Sequence, residues 1–337
     1  MTRELLNTLY VQSQEAVLRL KNEAIEVELE GEMLGRVPLH HLGAIYTFGL
    51  VHISSPLMAR CADDGRTVAF FTEYGRFRAR VEGRTSGNVL LRRDQWLAHF
   101  DPNASLSIAR QIVAAKIQNS RQVLLRGWRD HRADSCQASA HIHENALRAL
   151  PTSLTIDEIR GHEGVAAQSY FDSFPSLIRS PDFAFGGRSR RPPRDRMNAL
   201  LSFIYSIGTG DCVAALEGVG LDPQCGFLHV LRPGRPALAL DIVEEFRAVV
   251  YDRLALSLVN RKEIGPDAFI TRDGGACMLN ADGRKLVLAA LQRRKKEEVH
   301  HPLLKEKVPI GLLPHLQARL LARSLRGDIP IYPPFLA

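Results

Sequence analysis

The sequence predicts an α+β chain in two parts, a β-rich N-terminal domain over residues 1–98 and a larger, mainly α-helical domain over residues 99–337. Two observations carry this. The first third is cut into short runs in which apolar and polar residues partly alternate, the period of a half-buried strand. Beyond residue 100 the apolar residues fall at three- and four-residue intervals instead, the period of a helix face. With 337 residues, 45% of them hydrophobic and 24% charged, the chain is long enough for a sizeable core and has an ordinary soluble composition.

The elements follow in order. NTLYVQ, AVLRLK and AIEVEL read as strands, separated by the polar breaks SQE and NE. GRVPLHHLGAIYTFG continues in the same short-element style. SPLMARCADD reads as one helix, and TVAFFTE and RFRARVEG as two strands joined by a turn at Tyr74-Gly75. ASLSIARQIVAAKIQNSRQVLLRGW opens the helical part, and HIHENALRAL is a second helical piece. Thr155 and Glu158 form a capping box for the next helix. RDRMNALLSFIYSIGTGDCVAALEGVGL is mostly helical, with Gly208 and Gly210 marking a candidate kink. LDIVEEFRAVVYDRLALSLVN reads as a single long helix, FITRDGGACML as a small hairpin around Asp-Gly-Gly, and LPHLQARLLARSL as the last helix before a proline-rich tail. No internal repeat is visible.

Several function classes drop out. There is no charged-then-apolar leader and no uninterrupted apolar run near 18 residues, so neither a signal peptide nor a membrane span is expected, and the chain is read as cytoplasmic. Cys61, Cys136, Cys212, Cys225 and Cys277 are scattered with no C-x-x-C, which argues for free thiols in a reducing compartment. No G-x-G-x-x-G, Walker loop or G-x-S-x-G elbow appears. Lys plus Arg number 44 against 37 Asp plus Glu, a net charge of +7. The cations cluster: Arg121, Arg126, Arg129 and Arg132; Arg188, Arg190, Arg191, Arg194 and Arg196; Arg293, Arg294, Lys295 and Lys296. A phosphate-rich partner and a set of solvated helix faces explain such clusters equally well.

The carboxylates are more specific. Ile159, Glu163, Ala166 and Tyr170 stand at i, i+4, i+7 and i+11, so Glu163 lies in a stripe that faces protein. A carboxylate there needs a paired cation or a metal. Gly161 and Gly164 flank it, each costing about 1 kcal/mol in a helix, which suggests close approach of another backbone or a ligand. An interhelical salt bridge beside a tight crossing is the competing reading. His229 ends a short apolar run, and Asp241 and Glu244 follow at i and i+3 where a helix begins. First-turn carboxylates also complement a helix dipole, and a lone histidine is often structural. Together Glu163, His229 and the Asp241/Glu244 pair offer oxygen and nitrogen donors without sulfur, a set that suits Mg²⁺ or Mn²⁺ and chemistry on a phosphodiester. Asn198 and Tyr205, on one face of one helix, could brace ligating carboxylates or bond backbone groups in a core. His141 and His143, two residues apart, point to different sides of a helix. His40, His41, His300 and His301 are expected to be exposed or in loops.

At this point the residues resemble a known family. EIRGHEGVAAQSYF, RDRMNALLSFIYSIGTGDCVAALEGVGLDPQCGFLHV and ALDIVEEFR, in that order, are similar to the CRISPR-associated adaptation integrases, Cas protein one. The likeness runs from the β-rich start to the IYPPFLA tail, and RPPRDRMNALLSFIY is most similar to the type I-C branch. The resemblance implies a metal-dependent DNA endonuclease and integrase with an N-terminal β domain and a C-terminal helical domain. It implies a homodimer formed largely through the β domains, working with a dimer of a small second adaptation protein. The 3′-hydroxyl of incoming double-stranded DNA would attack a phosphodiester at the leader–repeat boundary, inserting a new spacer into the CRISPR array, with a second transfer at the other repeat end. The family's glutamate ligand falls on Glu163, its histidine ligand on His229 and its acidic ligand on Glu244, with Asp241 as the supporting acid and Asn198 and Tyr205 in a helix motif with a supporting role. Many members carry aspartate where this chain has Glu244, so which of Asp241 and Glu244 touches metal stays open. The basic clusters become candidates for a DNA track, chiefly Arg188, Arg190, Arg191, Arg194, Arg196, Arg293 and Arg294. The aromatic that would splay incoming DNA is unassigned, with Tyr10 and Phe71 two among several candidates. The rivals are a stand-alone structure-selective DNA nuclease and a non-catalytic DNA-binding scaffold.

Overall fold

The computed structural model of the chain describes residues 6–83 and 89–337. An N-terminal β-rich region precedes a mainly helical one, as expected. The first region holds β1 (Asn7–Val11), β2 (Ala16–Lys21), β3 (Ala24–Leu29), β4 (Glu32–Pro38), β5 (Leu42–Phe48), β6 (Val51–Ile53), α1 (Ser55–Asp63), β7 (Thr67–Phe71) and β8 (Phe77–Val81). Two four-stranded sheets result, in the orders β1-β5-β7-β8 and β4-β3-β2-β6. The turns linking β2 to β3 and β3 to β4 are two-residue loops whose central residues all have positive φ: Asn22 at 47°, Glu23 at 58°, Glu30 at 52° and Gly31 at 84°. That is the backbone a tight antiparallel hairpin requires, since its twist matches that of the strands. Leu18, Ile25, Ile45, Val68 and Leu57 fill the space between the sheets and α1. The alternate residues Tyr46 and Phe48 turn the other way, join Phe71, and enter the core of the helical region. β5 is therefore covered on both faces, which is why it reads as an apolar run rather than an alternation.

The helical region holds α2 (Val89–Phe100), α3 (Pro102–His131), α4 (Asp134–Ala149), α5 (Ile156–Ser173), α6 (Arg196–Val219), α7 (Ala237–Glu244), a π-helical turn (Arg247–Asp252) and α8 (Arg253–Asn260). A hairpin of β9 (Phe269–Arg272) and β10 (Ala276–Leu279), α9 (Ala281–Lys296), a hairpin of β11 (Glu298–His301) and β12 (Glu306–Pro309), and α10 (Leu313–Leu325) complete it. Asp101 caps α3, Thr155 caps α5 and Asp195 caps α6, each side chain accepting a first-turn amide. The Glu158 carboxylate takes the amide of Leu154, 2.7 Å away, one residue before the position a capping box would use. All five cysteines are free and buried. By length and composition α6 is apolar enough to cross a membrane, but 67% of its apolar window is buried inside the fold, as in a core helix.

Several expectations from the sequence need correction. The stretch read as one long helix is interrupted by the π turn. α6 shows no break at Gly208 or Gly210; a Cβ on Gly208 would sit 2.4 Å from the Tyr251 ring, so that glycine serves packing. Gly161 and Gly164 face open space: among the described residues, nothing beyond their own helix turn comes within 4 Å of an added Cβ. His301 is fully buried and bonds Gln317 at 3.0 Å, because β11 packs against α10. Neither aromatic candidate is free: Phe71 is stacked in the core at 5.2 Å from Phe48, and the Tyr10 ring packs on Tyr46 with its hydroxyl 3.2 Å from Lys295. The sequence pattern also did not single out α2, α9 or the β11–β12 hairpin.

Candidate metal centre

Four segments converge on one point. α3 supplies Lys116, α5 supplies Glu163, the loop after α6 supplies His229, and α7 supplies Asp241 and Glu244. Asp241 has no exposed surface and is wholly committed. Its carboxylate accepts the amides of Phe227 at 2.6 Å, Leu228 at 3.0 Å and His229 at 3.0 Å, and takes the His229 ring Nδ1 at 2.6 Å. An acceptor at Nδ1 requires the hydrogen there, so the neutral ring carries its lone pair on Nε2. Gly226 makes this clamp possible: a Cβ would stand 2.7 Å from the Ala237 backbone and 2.8 Å from the Asp241 carboxylate.

Glu244 is the acid turned toward the other donors. Its Oε1 takes Arg247 at 3.0 Å and lies 4.0 Å from His229 Nε2. Its Oε2 is 2.8 Å from the Lys116 ammonium, which also pairs with Glu163. Burial would raise its pKa, but Arg247, Lys116 and His229 outweigh that and hold it at about 2, so it stays ionised. Although Oε2 is within ion-pair range of Lys116, it receives no properly directed hydrogen bond. Among the described residues, no three His, Cys, Asp or Glu side chains stand close enough to enclose a metal as they are. A lysine cation lies between Glu163 and Glu244 instead. Two carboxylates sharing one cation, a buried carboxylate oxygen without a directed donor, and an imidazole with its lone pair outward form a donor set that fits a hard divalent ion.

Behind this lies a buried phenol–carboxylate layer. Tyr170, at 2.9 Å, and Tyr205 both donate to Asp252 in the π turn. Burial pushes Asp252 up to about 6, against those hydrogen bonds and the nearby Arg247 and Arg188. The Arg247 and Arg188 guanidiniums lie over the Tyr205 ring at 4.9 and 5.4 Å. A cavity of about 50 Å³ is bounded by Lys116, Glu163, Tyr205, Arg247 and Asp252. Asn198 sits elsewhere: it bonds Asp195, Gly187 and Arg188, and so pins the loop before α6 rather than a ligating acid. The sequence pattern missed Lys116 and Arg247. Their signals were a lysine in line with the apolar face of α3, between Ile112 and Ser120, and an arginine one turn beyond Glu244.

The basic residues separate into two groups. Arg188 is spent on Asn198 at 2.6 Å and Ser202 at 3.1 Å, Arg196 on the Asp182 carbonyl at 2.7 Å, and Arg194 on the Gly274 carbonyl. Arg293 pairs with Glu263 at 3.3 Å, Arg294 pairs with Glu297, and Lys295 is buried on Asp211 at 2.6 Å. Arg121 pairs with Glu144, and Arg126 and Arg129 with Asp130. Arg190 and Arg191 are exposed and, like Arg76 and Arg78 beside and on β8, have no ion-pair partner among the described residues. All four line a cleft of about 1030 Å³. Arg190 also borders the small cavity beside Glu163.

The family model for "CRISPR associated protein Cas1" matches residues 9–293. A CRISPR-associated endonuclease Cas1 of Moorella thermoacetica is 53% identical over 338 residues, covering 98% of each chain. A solved CAS1 protein from Thermotoga maritima superposes with a TM-score of 0.83 at 26% identity, over 97% of this chain and 99% of that one. Two further structures share the fold: a casposase bound to integration product, with a TM-score of 0.83 at 20% identity over 96% of this chain and 92% of that one, and a Cas6-RT-Cas1–Cas2 complex, with 0.81 at 23% identity over 97% of this chain and 36% of that one. With the β-rich start, the helical body and the ordered carboxylate and histidine segments in place, the chain belongs to the Cas1 family of CRISPR-associated proteins.

Proposed function

We propose that this chain is a metal-dependent DNA integrase and endonuclease of CRISPR adaptation, in which Glu163, His229 and Glu244 hold Mg²⁺ or Mn²⁺. The observation that carries the reading is the convergence of two carboxylates on one cation, with the free ring nitrogen of His229 4.0 Å from one of them, Glu244. It is supported by the name of the Moorella relative, an endonuclease, and by the fold shared with a casposase captured on an integration product. A bound divalent ion would polarise the phosphoryl oxygen and orient the attacking oxygen. The chain's own residues do the rest. Asp241 fixes the His229 tautomer and the loop that carries it. Arg247 holds one oxygen of Glu244, and Lys116 balances the charge of Glu163 and Glu244 so that both acids coexist. Tyr170, Tyr205 and Asp252 fix the π turn from which Arg247 projects. On this reading Glu244 is the direct ligand and Asp241 the supporting acid, because Asp241 has every acceptor position occupied.

The substrate is double-stranded DNA with 3′-hydroxyl ends, joined to CRISPR repeat DNA. Arg190 and Arg191, with Arg76 and Arg78, offer unpaired cations to its phosphates; the remaining basic residues contribute where DNA displaces their present partners. A homodimer is supported by β4, an exposed edge strand carrying Met33 and Leu34 at 59% and 55% exposure. A small second adaptation protein completes the assembly, a reading supported by the fold shared with a Cas1–Cas2-containing complex. The setting is cytoplasmic, and the branch, on the RPPRDRMNALLSFIY segment, is type I-C. The test is strand transfer into a supercoiled plasmid carrying a CRISPR repeat, from a short duplex with free 3′-hydroxyls, in Mn²⁺ with the small partner present. Joining that needs metal and is lost in Glu163→Ala is expected. Nicking without joining would favour a nuclease, and DNA binding with no metal-dependent product would favour a scaffold.

A further inference from the structure

The loop between α6 and α7 is irregular, yet Leu221, Cys225, Gly226, Phe227 and Leu228 are buried. A buried irregular segment must find partners for its backbone groups away from any ladder or helix. Here side chains from other elements supply them. Asp241 takes the amides on one side, and Arg160 on α5 donates to the Leu228 carbonyl at 2.6 and 3.0 Å. The other side is held by α2. Gln95, with no exposed surface, donates to the carbonyls of Asp222 at 2.8 Å and Cys225 at 2.9 Å, and accepts the Asp222 amide at 2.8 Å. Arg92 reaches the Gly220 carbonyl at 3.3 Å. His99 Nδ1 stands 2.7 Å from the Gly226 carbonyl; a carbonyl can only accept, so that nitrogen carries a hydrogen. The His99 ring packs beside Trp96, Phe100 and Phe227, which fixes its direction.

We propose that His99, assisted by Gln95, is a positioning residue for His229: helix α2 sets the height of the Gly226–His229 strap and thereby the reach of His229 Nε2 toward Glu244. Gly226 is the residue that packs against Asp241, so the hydrogen bond from His99 and the clamp from Asp241 act on the same short strap from opposite sides. Losing the His99 donor leaves a buried carbonyl unsatisfied, and the strap moves toward water to solvate it. His229 ends the same strap, so that shift strains its amide and ring bonds to Asp241 and turns Nε2 away from Glu244. This inference rests on His229 being a cation ligand, and its test separates the two ideas.

The experiment is calorimetric titration of the full chain with Mn²⁺ alone, with a melting curve for each variant. His99→Phe keeps the ring's packing and removes the donor. Its Mn²⁺ affinity should fall about tenfold, the scale seen when an outer partner of a metal site is lost. His99→Asn, whose amide nitrogen falls near the position of Nδ1, should restore most of that loss. In a His229→Ala background, where affinity is already reduced, His99→Phe should cause no further fall. If His99→Phe does not fold, His99→Gln, whose amide lies farther out than Nδ1, takes its place with the same expectation. Unchanged affinity in the folded single variant overturns the proposal. So does an equal fall in both backgrounds, since that is a general loss of structure. Full affinity in His229→Ala alone removes the ligand reading itself, and with it any role for His99 in serving it.

Discussion

Lys116 shows how much one side chain decides at this site. Glu163 and Glu244 both pair with its ammonium, and that cation offsets the repulsion between the two carboxylates. Replacing it, as in Lys116→Met, should lower the stability of the metal-free chain by about 1–3 kcal/mol, less than a fully buried pair would lose because Lys116 and Glu163 keep some exposure, although Glu244 does not. The same variant should bind Mn²⁺ more tightly, since the competing internal cation is gone; melting curves with and without Mn²⁺ would read both effects. The pH dependence follows from Glu244. Its folded pKa of about 2 lies below the ordinary 4.5, so its contribution is present above 4.5 and is lost as pH falls through about 2. The stability gap between parent and Lys116→Met should accordingly be wide at neutral pH and close in acid. Glu163 was legible in the sequence because charge stood where the helix period called for burial, whereas His229 and the Asp241/Glu244 pair were picked out by their donor types and given roles by the family resemblance. Lys116 was not: a lysine on an apolar stripe usually buries its stem and keeps its head in water, and only the fold shows this one turned inward.

At the scale of the element, three helix glycines look alike in sequence and differ in the fold. A Cβ on Gly208 would stand 2.4 Å from the Tyr251 ring, so Gly208→Ala should cost about 1–3 kcal/mol through overpacking. Gly161 and Gly164 face open space, so an alanine at either should stabilise the free chain by about 0.5–1 kcal/mol. Urea midpoints for the three variants would check the opposite signs. Among the described residues, no neighbour approaches Gly161 or Gly164 closely, contrary to what their cost in a helix suggests. The π turn carries a second lesson. Its extra residue per turn changes which side chains share a face, and it lets Arg247 reach Glu244 while Asp252 reaches Tyr170 and Tyr205. The stretch around it is buried on nearly every side, its charged residues included, so periodicity had no solvent face from which to detect the change of pitch.

For the whole molecule, the join between the β-rich and helical regions is a buried polar group set in aromatic packing. Lys295 on α9 pairs with Asp211 on α6 at 2.6 Å, and the Tyr46 hydroxyl on β5 meets the same aspartate at 3.1 Å. Asp211 and Tyr10 hold the ammonium well above the ordinary lysine range even though burial opposes it. Asp211→Ala would leave a charge with 8% exposure unpaired and should cost about 3–5 kcal/mol in a urea melt. Lys295 had been grouped with exposed cations, because a run of four basic residues reads as a solvated face until α9 is seen packed against Tyr10. The two-region architecture and most strands were legible, since each keeps its own period; the pairing of distant charges was not, since it depends on contacts far apart in the chain. The function proposed for this chain requires Glu163, His229 and Glu244 to close on one divalent ion. Anomalous diffraction from crystals of the chain soaked in Mn²⁺ tests it most directly. A peak is expected among those three side chains, with the Lys116 ammonium moved off Glu163 and Glu244. A peak elsewhere, or none with Lys116 still spanning both carboxylates, would contradict it.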